Sequence, residues 1–293
     1  MGQIIDLNPL GSAGGDPSDI LLLDLLSNNS VGPVQPSDQS PAHQKRADLS
    51  DALKATGDQR AVKKLRRCGT ASIPVETPDG IRWVRKGCHA AYCPVCNARK
   101  ASRLLHAMSP MALAIMGARG GYLHLVLAGP DREGSDELPP LRERLRALLS
   151  VVRKALAGYR WKTSFSTSLG LVFFAELSRG GHGQGHPHIH LFACAGSLRA
   201  LETFTNWLSD RWQDLVPGAL PLRIHQLARA GSSRDWSRSL RYALKGSNPA
   251  PDWGADLLLE AVGALSSNMR LMSAQGLLKG NWLGPKSKES QAA

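Results

Sequence analysis

At 293 residues the chain can bury a sizeable core, and its charge is uneven: residues 1–44 hold five Asp and no Lys, Arg or Glu, leaving 36 basic against 19 acidic side chains in the rest. That excess of +17 favours a polyanionic partner, nucleic acid foremost. No apolar run reaches the roughly 18 residues of a membrane span, and the N-terminus lacks the basic n-region of a secretory signal, so a cytoplasmic protein with no membrane partner is expected.

Residues 1–46 are dominated by Gly, Ser, Pro, Asn and Asp and read as a disordered tail or linker, apart from an apolar patch, Ile20 to Leu26, that fits one helix. Residues 47–117 read as a basic helical stretch over 47–67 ending in Lys63, Lys64, Arg66 and Arg67, then a cysteine module over about 68–97, then a helix from Asn97 to Met116. From Gly120 the periodicity changes. Tyr122 to Ala128 reads as a strand, Leu138 to Tyr159 as an amphipathic helix, and Leu169 to Leu177 and 186–195 as strands joined by a Gly-rich loop. A helix at 197–215, a strand at 221–228 and a helix at 233–246 follow. This order implies an α+β domain over 118–285, with a mainly antiparallel central sheet flanked by helices, and a tail at 286–293.

Four of the five cysteines, Cys68, Cys88, Cys93 and Cys96, fall in the small N-terminal module. Cys93-Pro-Val-Cys96 is a knuckle that sets two thiolates around one tetrahedral ion, and in a cytoplasmic chain the pattern favours Zn2+ over a disulfide. A redox Cys-x-x-Cys is the rival reading, but it has no use for Cys68 or Cys88. Cys88 and His89 are adjacent candidates for the remaining ligand, and Cys88 is preferred. The basic flanks, Arg82, Arg85, Lys86, Arg99, Lys100 and Arg103, suit phosphate contacts. Cys194 lies in an apolar strand and reads as core.

Residues 186–190, His-Pro-His-Ile-His, open the apolar run Leu-Phe-Ala-Cys-Ala. Strand alternation puts His186, His188 and His190 on one face, where imidazoles are costly to bury unless something binds them. Glu176, inside Val-Phe-Phe-Ala-Glu-Leu on the preceding strand, also needs a partner. A neighbouring arginine is one possibility. If the strands pair, Glu176 instead meets His188 and His190, a mixed N/O set that suits Mg2+, Mn2+ or another first-row ion with positions left for phosphate oxygens.

Tyr242 lies in Asp235-Trp-Ser-Arg-Ser-Leu-Arg-Tyr-Ala-Leu-Lys245. Trp236, Leu240, Ala243 and Leu244 form one apolar stripe of a helix, and Tyr242 falls opposite it, near Arg238 and Lys245. A tyrosine directed away from the core among cations is suited to meet a phosphate, since the cations favour the phenolate. An ordinary surface tyrosine has the same pattern.

Taken in order, these motifs resemble the His-hydrophobic-His superfamily of single-strand endonucleases, and within it the rolling-circle plasmid replication initiators. Cys68-Gly and the run from Cys88 to Lys100 are similar to that family's cysteine-rich segment. Tyr122-Leu-His-Leu-Val-Leu resembles its first motif, Glu176 with His-Pro-His-Ile-His its metal motif, Tyr242-Ala-Leu-Lys245 its Tyr-x-x-Lys helix, and Met269 to Lys279 its following Arg-Leu…Gly segment. The resemblance covers about 68–280 and implies a ferredoxin- or RRM-like endonuclease sheet. It implies catalytic Tyr242 and Lys245, a catalytic Mg2+ or Mn2+ on His188, His190 and Glu176, and Zn2+ on the cysteines. It further implies plasmid origin DNA, single-stranded or hairpin at the nick, as substrate, with host helicase and polymerase as partners. The expected products are a 5′-phosphotyrosyl link and a 3′-hydroxyl primer.

The chain departs from the family pattern at His124 and Val126, where hydroxyl residues are usual, and at Arg238, where some relatives carry a carboxylate that lets water end the reaction. The rival readings are a relaxase- or transposase-like nuclease and a non-catalytic zinc-containing DNA-binding regulator.

Overall fold

Among the described residues of the computed structural model, seven strands form a two-stranded hairpin, β1 (Ser72–Thr77) with β2 (Gly80–Arg85), and a five-stranded sheet in the order β6-β3-β5-β4-β7. The sheet strands are β3 (Gly121–Ala128), β4 (Leu169–Arg179), β5 (Gly185–Ala195), β6 (Arg223–Arg229) and β7 (Met272–Gly276), and every neighbouring pair is antiparallel. The structure describes residues 41–77, 80–129, 138–180, 183–217, 219–229, 236–240, 249–266, 269 and 271–279. The α+β class with an antiparallel sheet flanked by helices is as the sequence implied.

The helices are α1 (Pro41–Ala55), α2 (Gln59–Arg66), α3 (Pro94–Met116), α4 (Leu141–Ala157), α5 (Leu198–Leu215) and α6 (Ala255–Ser266), with a π-helical turn at Trp161–Phe165. None of the described helices is long and apolar enough to cross a membrane. The stretch expected to be helical over 47–67 is two helices, and the first starts at Pro41, so residues 41–46 are helix and not tail. The break comes at Gly57, whose φ of 83° is left-handed, followed by Asp58, which caps α2 by accepting a hydrogen bond from the Ala61 amide at 2.9 Å. Helix α3 starts three residues before the expected Asn97 because Pro94 occupies its first turn, where its missing N–H costs nothing.

Strand alternation divides the sheet into two differently covered faces. Leu123, Leu125, Leu171, Phe173, Ile189 and Leu191 point into the larger core, built with α4, α5 and α6. The other face presents Tyr122, Val172, Phe174, Phe192 and Cys194 to Leu104, Leu105, Met108 and Ala112 of α3, and to Trp236 and Leu240 of a helical segment at 236–240. Cys194 is fully buried, as its apolar context implied. Gly170 sets how closely α3 approaches: a Cβ there would lie 2.8 Å from Ile115 Cδ1 and from Leu278 Cγ, and 2.9 Å from Cys194 Sγ.

Two elements at the C-terminal end had no counterpart in the sequence reading. Helix α6 adds to the larger core, and β7 pairs with β4 at one edge of the sheet. Residues 272–276 of the stretch that resembles the family's last motif are therefore an edge strand. Pro187 is tolerated within β5 because it lies beyond the last β3 pair, Ala128 with His188, where no described strand pairs on that side.

Candidate functional site

The β4–β5 register brings the acidic and basic residues together. Phe174 pairs with His190, Glu176 with His188 and Ser178 with His186, so Glu176 lies directly across from one imidazole and diagonally from the next. His188 Nε2 donates to Glu176 Oε2 at 2.9 Å, and His190 Nε2 donates to the same oxygen. One ligand atom from each of Glu176, His188 and His190 lies within 4.8 Å of the others, a group able to hold a metal ion. Among the described residues, the ion pairs of Glu176 are with these two histidines and not with an arginine.

Burial is graded along the strand. The His190 side chain is 3% exposed, that of His188 12% and that of Glu176 16%, and Phe192, next to His190 on this face, packs in the cluster with α3. His186 continues the row with its ring 6.2 Å from that of His188, but it is not among the three grouped ligands. Burial pushes the Glu176 carboxyl up, but the hydrogen bonds from His188 and His190 outweigh it and hold the group down at about 2. The site therefore keeps an ionised carboxylate beside two imidazoles, a hard oxygen with two borderline nitrogens.

Two further histidines complete the site. His124 Nε2 lies 2.9 Å from His190 Nδ1, on the ring edge away from Glu176. Its ring stacks on Phe192 at 4.1 Å and on His225 at 4.9 Å. Burial, then the neighbouring His190 and His225, push His124 down to about 3, so it is neutral at ordinary pH. This position therefore carries an imidazole bonded to a metal-ligand candidate.

His225 reaches this face through a β-bulge. His124 pairs with Gln226 but Leu125 pairs with Ile224, which leaves His225 as the extra residue of β6. Leu227 and Ile224 both pack on the larger core, a spacing of three that regular alternation forbids. Regular alternation would turn His225 toward that core, so no sequence signal marks it. His124 carried such a signal: it shares the face of Tyr122 and Val126, and Val126 pairs with His190.

The helical segment at 236–240 docks on the same face. Trp236 makes edge contacts with Tyr122 at 5.7 Å and Phe192 at 5.9 Å, and Ser239 Oγ donates to Gln226 Oε1. Trp236 and Leu240 are buried, as the apolar stripe implied. Tyr242 and Lys245, with Asp235, lie outside the described residues.

The cysteine module is a second cluster. Cys68 Sγ is 3.5 Å from Cys96 Sγ and 3.6 Å from Cys93 Sγ, and Cys88 Sγ is 3.7 Å from Cys96 Sγ. Sulfurs about 2.3 Å from a tetrahedral centre stand about 3.8 Å apart, so the set fits one tetrathiolate ion and not a disulfide. All four thiols are free. Cys88 is in the set, whereas His89 is exposed and turns the chain at φ 55°. A Cβ on Gly87 would stand 3.1 Å from Cys96 Sγ, so this position keeps the cradle tight. Sharing of protons through mutual hydrogen bonds draws Cys68 and Cys96 down and pushes Cys88 and Cys93 up, and Cys68 falls to about 6. Cys68 and Cys93 belong to the same buried core as Leu49, Leu65, Val95 and Leu258.

No protein-family model matches the chain, and neither a curated protein nor a solved structure gives a match.

Proposed function

We propose that the chain is a single-strand DNA endonuclease of the His-hydrophobic-His class. Within that class we read it as a plasmid replication initiator that cuts one strand at an origin. The observation that carries the reading is the Glu176 carboxylate bonded to both His188 and His190 across the β4–β5 pair, with the 236–240 segment packed on the same sheet face.

Glu176, His188 and His190 would hold Mg2+ or Mn2+, and Cys68, Cys88, Cys93 and Cys96 would hold Zn2+. The divalent ion, when bound, supplies Lewis-acid polarisation of a phosphate oxygen. His124 holds the His190 ring so that Nε2 faces Glu176. Tyr242 follows Leu240 by two positions, a reach of roughly 7 Å, and Leu240 belongs to the same cluster as Phe192, on which His124 stacks. That reach supports Tyr242 as nucleophile. Its phenol oxygen loses its proton to water and forms a bond to phosphorus, the bond from phosphorus to the 3′ oxygen breaks, and that oxygen takes a proton back from water and leaves as a 3′-hydroxyl. Lys245 neutralises the phosphate. The linkage energy stays in the 5′-phosphotyrosyl bond, so the strand can be rejoined, while the 3′-hydroxyl primes host polymerase behind a host helicase.

The experiment is incubation of the full chain with Mn2+ and a randomised pool of single-strand oligonucleotides, followed by denaturing electrophoresis. A protein band carrying covalent DNA is expected from the native chain and lost in Tyr242→Phe. No such band from the native chain, or its persistence in Tyr242→Phe, overturns the assignment.

A further inference from the structure

The hairpin β1–β2 carries an unusual amount of bare apolar surface. Five of the ten large hydrophobic side chains exposed among the described residues sit on it: Ile73, Val75, Ile81, Trp83 and Val84. Paired residues project to one side of a two-stranded ribbon, so Pro74 with Trp83 and Glu76 with Ile81 share a face, while Ile73 with Val84 lies on the other. Trp83 is 68% exposed and Ile81 64%.

The base of the ribbon is fixed to the cysteine module. The Gly69 amide donates to the Lys86 carbonyl at 2.9 Å, the Lys86 amide to the Ala71 carbonyl at 2.7 Å, and Arg99 Nη1 to the Arg85 carbonyl at 3.1 Å. Helix α2 ends next to this clamp with Lys63, Lys64 and Arg66 exposed, as are Arg67 and Lys86. From residue 63 to 103 the chain has ten Lys and Arg against two acidic residues, Glu76 and Asp79.

We propose that this ribbon binds unpaired DNA, with the Trp83 indole stacked on an exposed base and the cations of α2 and of the ribbon base holding the flanking phosphates. The inference rests on the DNA reading above and adds the surface that grips the strand outside the metal site. The cations select a polyanion, because an apolar protein groove would cover the ribbon and leave them unused. The indole selects an unpaired strand, because a duplex hides the base faces on which an aromatic ring stacks.

The test is fluorescence anisotropy of a labelled 20-nucleotide oligothymidylate and of a labelled duplex, using the full chain with no added divalent ion. Native protein, Trp83→Ala and Trp83→Phe are compared, with thermal melts to confirm folding, since an exposed side chain is not needed for the core. Trp83→Ala should weaken single-strand binding about tenfold, the usual scale of one stacked base. It should change duplex binding far less and leave the salt slope intact, and Trp83→Phe should stay within about threefold of native because it keeps a ring to stack. Unchanged single-strand affinity in Trp83→Ala overturns the proposal. So does an equal loss on both DNAs, or a loss of adhesion to phosphatidylserine vesicles with oligonucleotide binding retained. Binding here needs no strand cleavage, so a Trp83 effect in a chain that forms no covalent adduct leaves this inference standing and removes only the nuclease reading. Adduct formation without any Trp83 effect does the reverse.

Discussion

His124 Nε2 meets His190 Nδ1 at 2.9 Å, while Nε2 of His190 faces Glu176. One ring is thus held on both edges, and the neutral His124 fixes which His190 nitrogen is presented to an incoming ion. Outer-shell partners of this kind typically contribute 10–100-fold in metal affinity. His124→Leu is therefore expected to weaken Mn2+ binding by about that factor, with His124→Gln intermediate because it keeps a polar partner. Calorimetric titration of Mn2+ into the variants checks this, and equal affinity in all three proteins removes His124 from the site.

Removing a ligand should act more strongly than removing its support. His188→Ala and Glu176→Ala should each abolish measurable Mn2+ binding at the catalytic site, while zinc content stays at that of the native chain because the cysteine cluster is separate. Elemental analysis alongside the titration distinguishes the two ions, and Mn2+ binding retained in Glu176→Ala would disprove the ligand set.

The cysteine cluster is expected to retain one zinc per chain. Cys88→Ala should lose it and His89→Gly should keep it, because Cys88 joins the sulfur group while His89 points outward from a left-handed position that glycine also adopts. Since Cys68 and Cys93 share a core with Leu49 and Leu258, stripping the ion should destabilise more than the module. At about 2–4 °C per kcal/mol, loss of several kcal/mol lowers Tm by roughly 10 °C. A scanning melt with and without a zinc chelator measures it. An unchanged Tm would show that the thiols hold no structural ion.

Packing of α3 on the sheet has its own test. A methyl at Gly170 would stand 2.8 Å from Ile115 Cδ1 and Leu278 Cγ. Gly170→Ala should therefore destabilise by about 1–3 kcal/mol through overpacking. Urea denaturation measures the change, and a variant as stable as the native chain would mean that the helix sits further from β4 than described.

The parts of the site legible in the sequence are those carried by local periodicity. Alternation alone put His186, His188 and His190 on one face, and an isolated charge in an apolar run marked Glu176 as needing a partner, an arginine or, if the strands paired, the histidines. The spacing of Cys93 and Cys96, with Cys68 and Cys88 upstream, identified the second cluster. What stayed hidden depends on register and tertiary contact. A single extra residue in β6 re-aims His225, and no composition signal announces a bulge. The hairpin β1–β2 was obscured because both its faces mix apolar and polar residues, so neither a period of two nor a buried run stands out. Edge strand β7 is five residues long and takes its partner from β4, about a hundred residues earlier in the chain.

The measurement that bears most directly on the central claim is mass spectrometry of tryptic peptides after the chain has reacted with single-strand DNA and Mn2+. The peptide containing Tyr242 is expected to carry the mass of a 5′-phosphorylated nucleotide, and that mass to vanish in His188→Ala. A nucleotide on Tyr122 or Tyr159 instead, or an unmodified Tyr242 in a chain that binds both Mn2+ and DNA, would contradict it.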